Sequence, residues 1–218
     1  AGIATLMPYA GNRLINLGGA DSGTELGLTS SGAGNEIDTV TASVIRVGSP
    51  AAGNLTVTDT VNPAGTNTLD LISGGAISQD AGKNILEVNL AAQAAGAITL
   101  TEATNDVTTF AALGSSSVAF TDANGFSVGD ADGVYGVTGT TVTLTALNGT
   151  LTVTNTSQAA GKDINASGLV TLTASAADTT VAIDPGANVE TTAGGVTVTA
   201  DMINLNGISR HLERIVDH

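Results

Sequence analysis

One block recurs along the chain and constrains its fold more than any other feature: Gly, any residue, an aliphatic residue, Thr, an aliphatic residue, Thr. Copies read GNLTVTD from Gly53, GAITLTE from Gly96, GTLTVTN from Gly149, GLVTLTA from Gly168 and GGVTVTA from Gly194. Looser copies, SSVAFTD from Ser116 and TTVTLTA from Thr140, fill gaps in the series. With the Gly149 copy set aside, the starts at 53, 96, 116, 140, 168 and 194 are separated by 43, 20, 24, 28 and 26 residues. The first interval is nearly double the others, and GGAISQD from Gly74 falls near its middle.

A six-residue strand with one aliphatic face cannot bury that face by itself. Laid on an equivalent strand about 4.8 Å away, it gains a backbone ladder and extends a column of like side chains. Units of this length, each holding one such strand, lie in the range of solenoid coils. The expectation is an all-β solenoid of about ten coils over residues 1–208, a rod on the order of 45 Å long. The stretch GTTVTLTALNGTLTVTN, Gly139 to Asn155, poses the alternative. An Asn-Gly pair between alternating runs signals a β-hairpin, which would set Leu144 opposite Val153 and Thr143 opposite Thr154. Such a hairpin belongs in an antiparallel β-sandwich. A solenoid instead needs Asn148-Gly149 to turn the chain from one face of a coil to the next.

Composition narrows the function classes. Charged residues make up 12% and aromatics 2%, while hydrophobic residues reach 42%, which argues against disorder and for a thin aliphatic core. The net charge is −14, and before Ser209 the basic side chains are Arg13, Arg46, Lys83 and Lys162. Nucleic acid and anionic membrane surfaces are therefore not expected partners. Without cysteine there is no thiolate metal site and no thiol nucleophile. No apolar run reaches the 18 residues of a spanning helix. Neither end reads as a signal peptide, so an export signal is expected outside this sequence.

The stretches Arg13 to Thr58, Gly65 to Gly82 and Gly96 to Val137 resemble the repeat region of filamentous-haemagglutinin-like proteins, the giant adhesins exported by two-partner or autotransporter-type routes. The segment DINASGLVTLTAS from Asp163 is similar more loosely. The resemblance implies a right-handed parallel β-helix, secreted or exposed on the bacterial surface, serving adhesion, biofilm formation or contact-dependent competition. The Asn-Pro-rich motifs of that family's secretion domain are missing, and VNPAG at Val61 to Gly65 stands alone. The implied role is a non-enzymatic shaft segment. Its partners would be adjoining solenoid segments of the same parent chain and a glycan or protein receptor, with end-to-end self-association at open ends. The tail SRHLERIVDH, residues 209–218, breaks the pattern and reads either as a short capping helix or as vector-derived sequence.

Candidate chemistry is sparse. A Ser-His-Asp arrangement would need His211 or His218, both in the tail. No P-loop, HExxH or dinucleotide fingerprint occurs, so neither catalytic residues nor an organic cofactor are expected. A carbohydrate-binding or carbohydrate-active β-helix is an alternative, although the acidic residues are scattered and basic partners are few. Calcium is the sharpest local possibility: DANG and DADG offer Asp122, Asn124, Asp130 and Asp132 as oxygen ligands. The competing reading is that these Asx-Gly pairs form turns. Finally, outward Thr pairs are expected in rows: Thr56 and Thr58, Thr99 and Thr101, Thr143 and Thr145, Thr171 and Thr173, Thr197 and Thr199. A flat Thr ladder raises ice binding as a further alternative. Irregular coil lengths and Ala119 favour an ordinary solvent-facing strand surface instead.

Overall fold

The computed structural model describes residues 2–32, 35–156 and 163–206. Two large parallel sheets share one apolar core. Sheet A stacks β1 (Ile3–Leu6), β4 (Val44–Ser49), β6 (Thr68–Ser73), β8 (Leu86–Ala94), β10 (Asp106–Gly114), β12 (Phe126–Val128), β17 (Leu151–Val153), β20 (Thr180–Ile183) and β23 (Met202–Leu205) in that order. Beside them run β15 (Val137–Gly139), β18 (Ile164–Ala166) and β21 (Val189–Thr191). Sheet B stacks β3 (Glu25–Leu28), β2 (Leu14–Leu17), β5 (Leu55–Val57), β7 (Ile77–Gln79), β9 (Ile98–Leu100), β11 (Val118–Asp122), β16 (Val142–Ala146), β19 (Val170–Ala174) and β22 (Val196–Thr199). A two-stranded antiparallel pair, β13 (Asp130–Ala131) with β14 (Val134–Tyr135), stands apart from both.

From β4 to β11 the chain alternates between the sheets; beyond β11 each turn gives sheet B one strand and sheet A two, and apart from β13–β14 the strands pair in parallel with their equivalents one turn away. This is a β-solenoid with fewer turns than the ten expected. The difference arises because some segments leave the coil path. Residues 18–43 carry β3 and a 3₁₀ turn at Ile37–Thr39, and residues 129–136 carry the β13–β14 pair. The excursion of β3 has a use: it pairs with the edge of β2 opposite β5, covering a strand edge that would otherwise be bare. The antiparallel sandwich is excluded, since Leu144 lies between Phe120 and Leu172 in sheet B while Val153 lies between Val128 and Ile183 in sheet A. Asn148-Gly149 is a corner, and the Gly149 repeat copy belongs to the other sheet from its fellows.

The aliphatic positions of the repeat become a column. Ile15, Leu55, Ile77, Ile98, Val118, Val142, Val170 and Val196 are successive partners in sheet B. Stacking like on like keeps each layer filled without side chains of different size having to interdigitate. The leading glycine has a steric reason: a Cβ on Gly194 would lie 2.3 Å from the Gly168 carbonyl carbon one coil away. At the middle of the rod the aliphatic filling gives way to all three phenylalanines. Phe110 and Phe120 stack with centroids 4.1 Å apart, and Phe126 meets both edge-on.

One detail of sheet A positions the candidate site. Thr109 and Phe110 of β10 pair with β12, whereas Ala112 and Leu113 pair with β15. A continuous strand in one coil is thus matched by two short strands in the next. Between those two strands the chain leaves the coil as the β13–β14 hairpin. Gly136 N–H donates to the Gly129 carbonyl at 2.8 Å and closes its base.

Candidate functional site

The hairpin turns at Asp132-Gly133, both with positive φ (50° and 75°), as a two-residue primed turn requires. It folds back over the outer surface of sheet A, where Ala131 and Val134 pack on Ala91 and Ala111. Those two alanines belong to an outward column of register partners that continues through Asp70 to Arg46. At the column's far end, Arg46 donates to both carboxylate oxygens of Asp132, from Nε at 2.6 Å and from Nη2 at 3.0 Å. The two residues are 86 positions apart in sequence.

Asp70 lies beneath this ion pair with no exposure at all. Its Oδ2 accepts from Gln93 Nε2 at 2.8 Å and stands 3.9 Å from Arg46 Nε; its Oδ1 has no donor. Burial raises its pKa to about 7, and the neighbouring Asp132 carboxylate adds to the rise. Gln93 and Arg46 act in the opposite direction but do not cancel it. Loss of water is the largest cause because a buried carboxylate has few compensating dipoles here. A carboxyl pair with one guanidinium, sealed under a hairpin, can hold a proton between its two acids and carry a neutral overall charge when it does.

Of the four residues singled out for calcium, Asp122, Asp130 and Asp132 have carboxylates engaged by other partners, and Asn124 donates its backbone N–H to Asp122. Asp122 is fully buried at the corner after β11, its Oδ2 accepting from Val107 N–H and its Oδ1 from Asn124 N–H. Burial raises its pKa to about 6. Asp130 accepts from Gly133 N–H at the hairpin turn, and Asp132 is engaged by Arg46. Among the described residues, no group of three or more His, Asp or Glu side chains is placed to hold a metal ion. The tail 209–218, with His211 and His218, lies outside the described residues.

The Thr pairs fall in register from strand to strand, more regularly than the coil lengths suggest. Thr56, Ser78, Thr99, Ala119, Thr143, Thr171 and Thr197 are consecutive partners in one column, and Thr121, Thr145, Thr173 and Thr199 in the next. Thr58 and Thr101 follow their strands at the same offset. Past β5, extra residues such as the hairpin leave on the sheet A side, so uneven intervals there do not disturb sheet B. The first column carries no charged side chain; in the second, Asp80 follows β7 at the offset of Thr58 and Thr101 and is exposed. At one end of this face a hollow of about 280 Å³ is lined by Leu14, Asn16, Glu25, Asn54, Thr56 and Thr58. Its polar atoms are largely bonded to one another or to the next coil: Asn16 Nδ2 to Glu25, Thr58 Oγ1 to Asn16, and Ala76 N–H to Asn54 Oδ1.

Asn105 also escapes a reading by motif. Fully buried at a corner, its Oδ1 accepts from Ile85 N–H and Gln79 Nε2, and its Nδ2 donates to Gln79 Oε1 and the Leu100 and Thr121 carbonyls. It joins two neighbouring coils where the chain turns. No family model, curated protein or solved structure matches the chain.

Proposed function

We propose that this chain is a non-enzymatic structural shaft, a spacer segment of a large secreted or surface-exposed bacterial adhesin. The observation that carries this reading is the in-register parallel stacking of coil on coil around one core, from Ile15 to Ile183. Stacked ladders resist bending because tilting one coil breaks several backbone bonds and a layer of core packing together. The carboxylates of Asp122, Asp130, Asp132 and Asp163 are engaged in corners, turns or the hairpin latch, and so serve the rod rather than a substrate. Partners on this reading are adjoining solenoid coils of the same parent chain, end-to-end copies meeting strand edges, and a receptor glycan or protein at the outer faces. A net charge of −14 keeps neighbouring shafts apart and repels phosphate-bearing surfaces.

The test is a distance measurement joined to a binding screen. Spin labels at Thr5 and Asn204 should give one narrow distance on the order of 40 Å, from about 4.8 Å per strand step along sheet A. A Gly/Ser chain of equal length gives a broad distribution around 80 Å. A broad distribution, or turnover of a polysaccharide by the isolated chain, overturns the shaft reading.

A second reading, ice binding through sheet B, gains support from Thr columns in strict register, broken by charge at Asp80. A rigid lattice of hydroxyls and methyls repeats about every 4.8 Å along the rod and about every 6.7 Å along a strand. Thermal hysteresis that vanishes in Thr143→Lys with Thr171→Lys supports it, and hysteresis no greater than that of a serum-albumin control rejects it.

A further inference from the structure

We propose that the β13–β14 hairpin is a proton-gated clasp, laid along the rod axis, latched by Arg46 and the Asp70–Asp132 carboxyl pair, and released when that pair loses its shared proton. This goes beyond the shaft reading and does not depend on it. From β12 to β4 is four strand steps, about 19 Å at 4.8 Å each. Residues 129–132 in extended form cover about 13 Å of this, and the Arg46 side chain spans the rest. The hairpin therefore ties a coil to one laid down 86 residues earlier, across the intervening strands β10, β8 and β6. Ala91 and Ala111 are small enough to let it lie close; both are fully buried although they face away from the main core.

The latch has a missing donor. The charged groups acting on Asp70 are Arg46 from β4 and Asp132 from the hairpin; Gln93 from β8 is neutral, and the hairpin's own Asp130 is exposed. Arg46 spends its short, bidentate contact on Asp132 and stands 3.9 Å from Asp70. Asp70 Oδ1 is left buried without a partner, and Arg46 touches both acids, so the Asp132 carboxylate is close enough to raise the proton affinity of Asp70. A proton on the pair turns a repulsion into an O–H···O bond and brings the cluster of two acids and one guanidinium to zero net charge. Without it the sealed site holds a net negative charge that hydration relieves only if the hairpin lifts. The closed clasp binds a proton that the open one sheds, so acid closes it and rising pH opens it. For one linked proton whose affinity in the closed state falls near neutral pH, the opening constant rises about tenfold between pH 6 and pH 8.

The chain has no cysteine, so a single thiol can report opening. Ala91→Cys places it beneath the hairpin and Thr143→Cys on the open face; the ratio of their rates with a neutral thiol reagent cancels the ordinary thiolate dependence. The ratio is expected to rise about tenfold from pH 6 to pH 8, and to stay low and flat when Asp70→Asn supplies a permanent neutral donor. Ala111→Cys repeats the measurement under the same hairpin should the thiol at 91 disturb packing. A ratio independent of pH in the native background, or an unchanged pH dependence in Asp70→Asn, overturns the proposal.

Discussion

Replacing Phe120 by alanine should do more than lower stability; it should cut the rod in two. Phe120 is fully buried, stacks on Phe110 at 4.1 Å and meets Phe126 edge-on at 5.0 Å. Its neighbours in the column, Leu100 and Leu144, are held in place by their own backbone ladders and cannot slide in to fill the space. Truncation of a buried Phe costs about 3–5 kcal/mol, and this rigid layer places Phe120→Ala near the upper end of that range. About 0.5–1.5 kcal/mol of it should be the aromatic pair itself, measurable as the coupling energy in a double-mutant cycle with Phe110→Ala. In a quasi-one-dimensional fold, weakening one layer uncouples what lies on either side. Urea denaturation followed by far-UV circular dichroism should therefore change from one transition to two, each with a smaller slope than the original. A single transition shifted by less than about 1 kcal/mol would refute the idea that one aromatic layer joins the halves.

Other outcomes follow from the same geometry. Asn105→Ala leaves Ile85 N–H and two carbonyls without their partner and should cost at least about 2 kcal/mol, whereas Thr143→Ala on the open face should stay within about 0.5 kcal/mol; paired urea midpoints check both. Gly48 has φ of 100°, and a Cβ there would lie 2.0 Å from the Ile72 carbonyl oxygen. Gly48→Ala should therefore lower the melting temperature markedly, with at least about 1–3 kcal/mol from backbone strain alone. Burial raises the pKa values of Asp70 and Glu87 to about 7 and of Asp122 to about 6. Between about pH 4 and 7 the native chain then holds protons that the unfolded chain has released, so stability falls as pH rises through that window. A urea midpoint that instead climbs from pH 5 to pH 8 would contradict this sign.

Legibility in the sequence differed between the two sheets for a physical reason. Sheet B has water on one side and core on the other along its whole length, so its strands alternate strictly: VTLTA from Val142 and VTLTA from Val170 state their own register. The stacking of strand on strand could be read from that alternation, whereas the number of coils and the choice between a corner and a hairpin at Asn148-Gly149 could not. Sheet A is covered on its outside by the hairpin, and there the alternation fails. Leu69, Asp70 and Leu71 are consecutive buried residues, as are Leu90, Ala91 and Ala92, and no pattern of period two announces which of them face the core. DADG could be recognised as a turn, but nothing local indicated that Asp132 would reach Arg46 or that Asp70 would be sealed between them.

The sequence by itself determined the stacking, because like residues recurring on Gly-led strands can bury their aliphatic faces only on one another. Only the tertiary structure decided the latch. Its members come from coils that meet after the intervening turns have formed, and their proton affinity depends on water that the folded hairpin excludes.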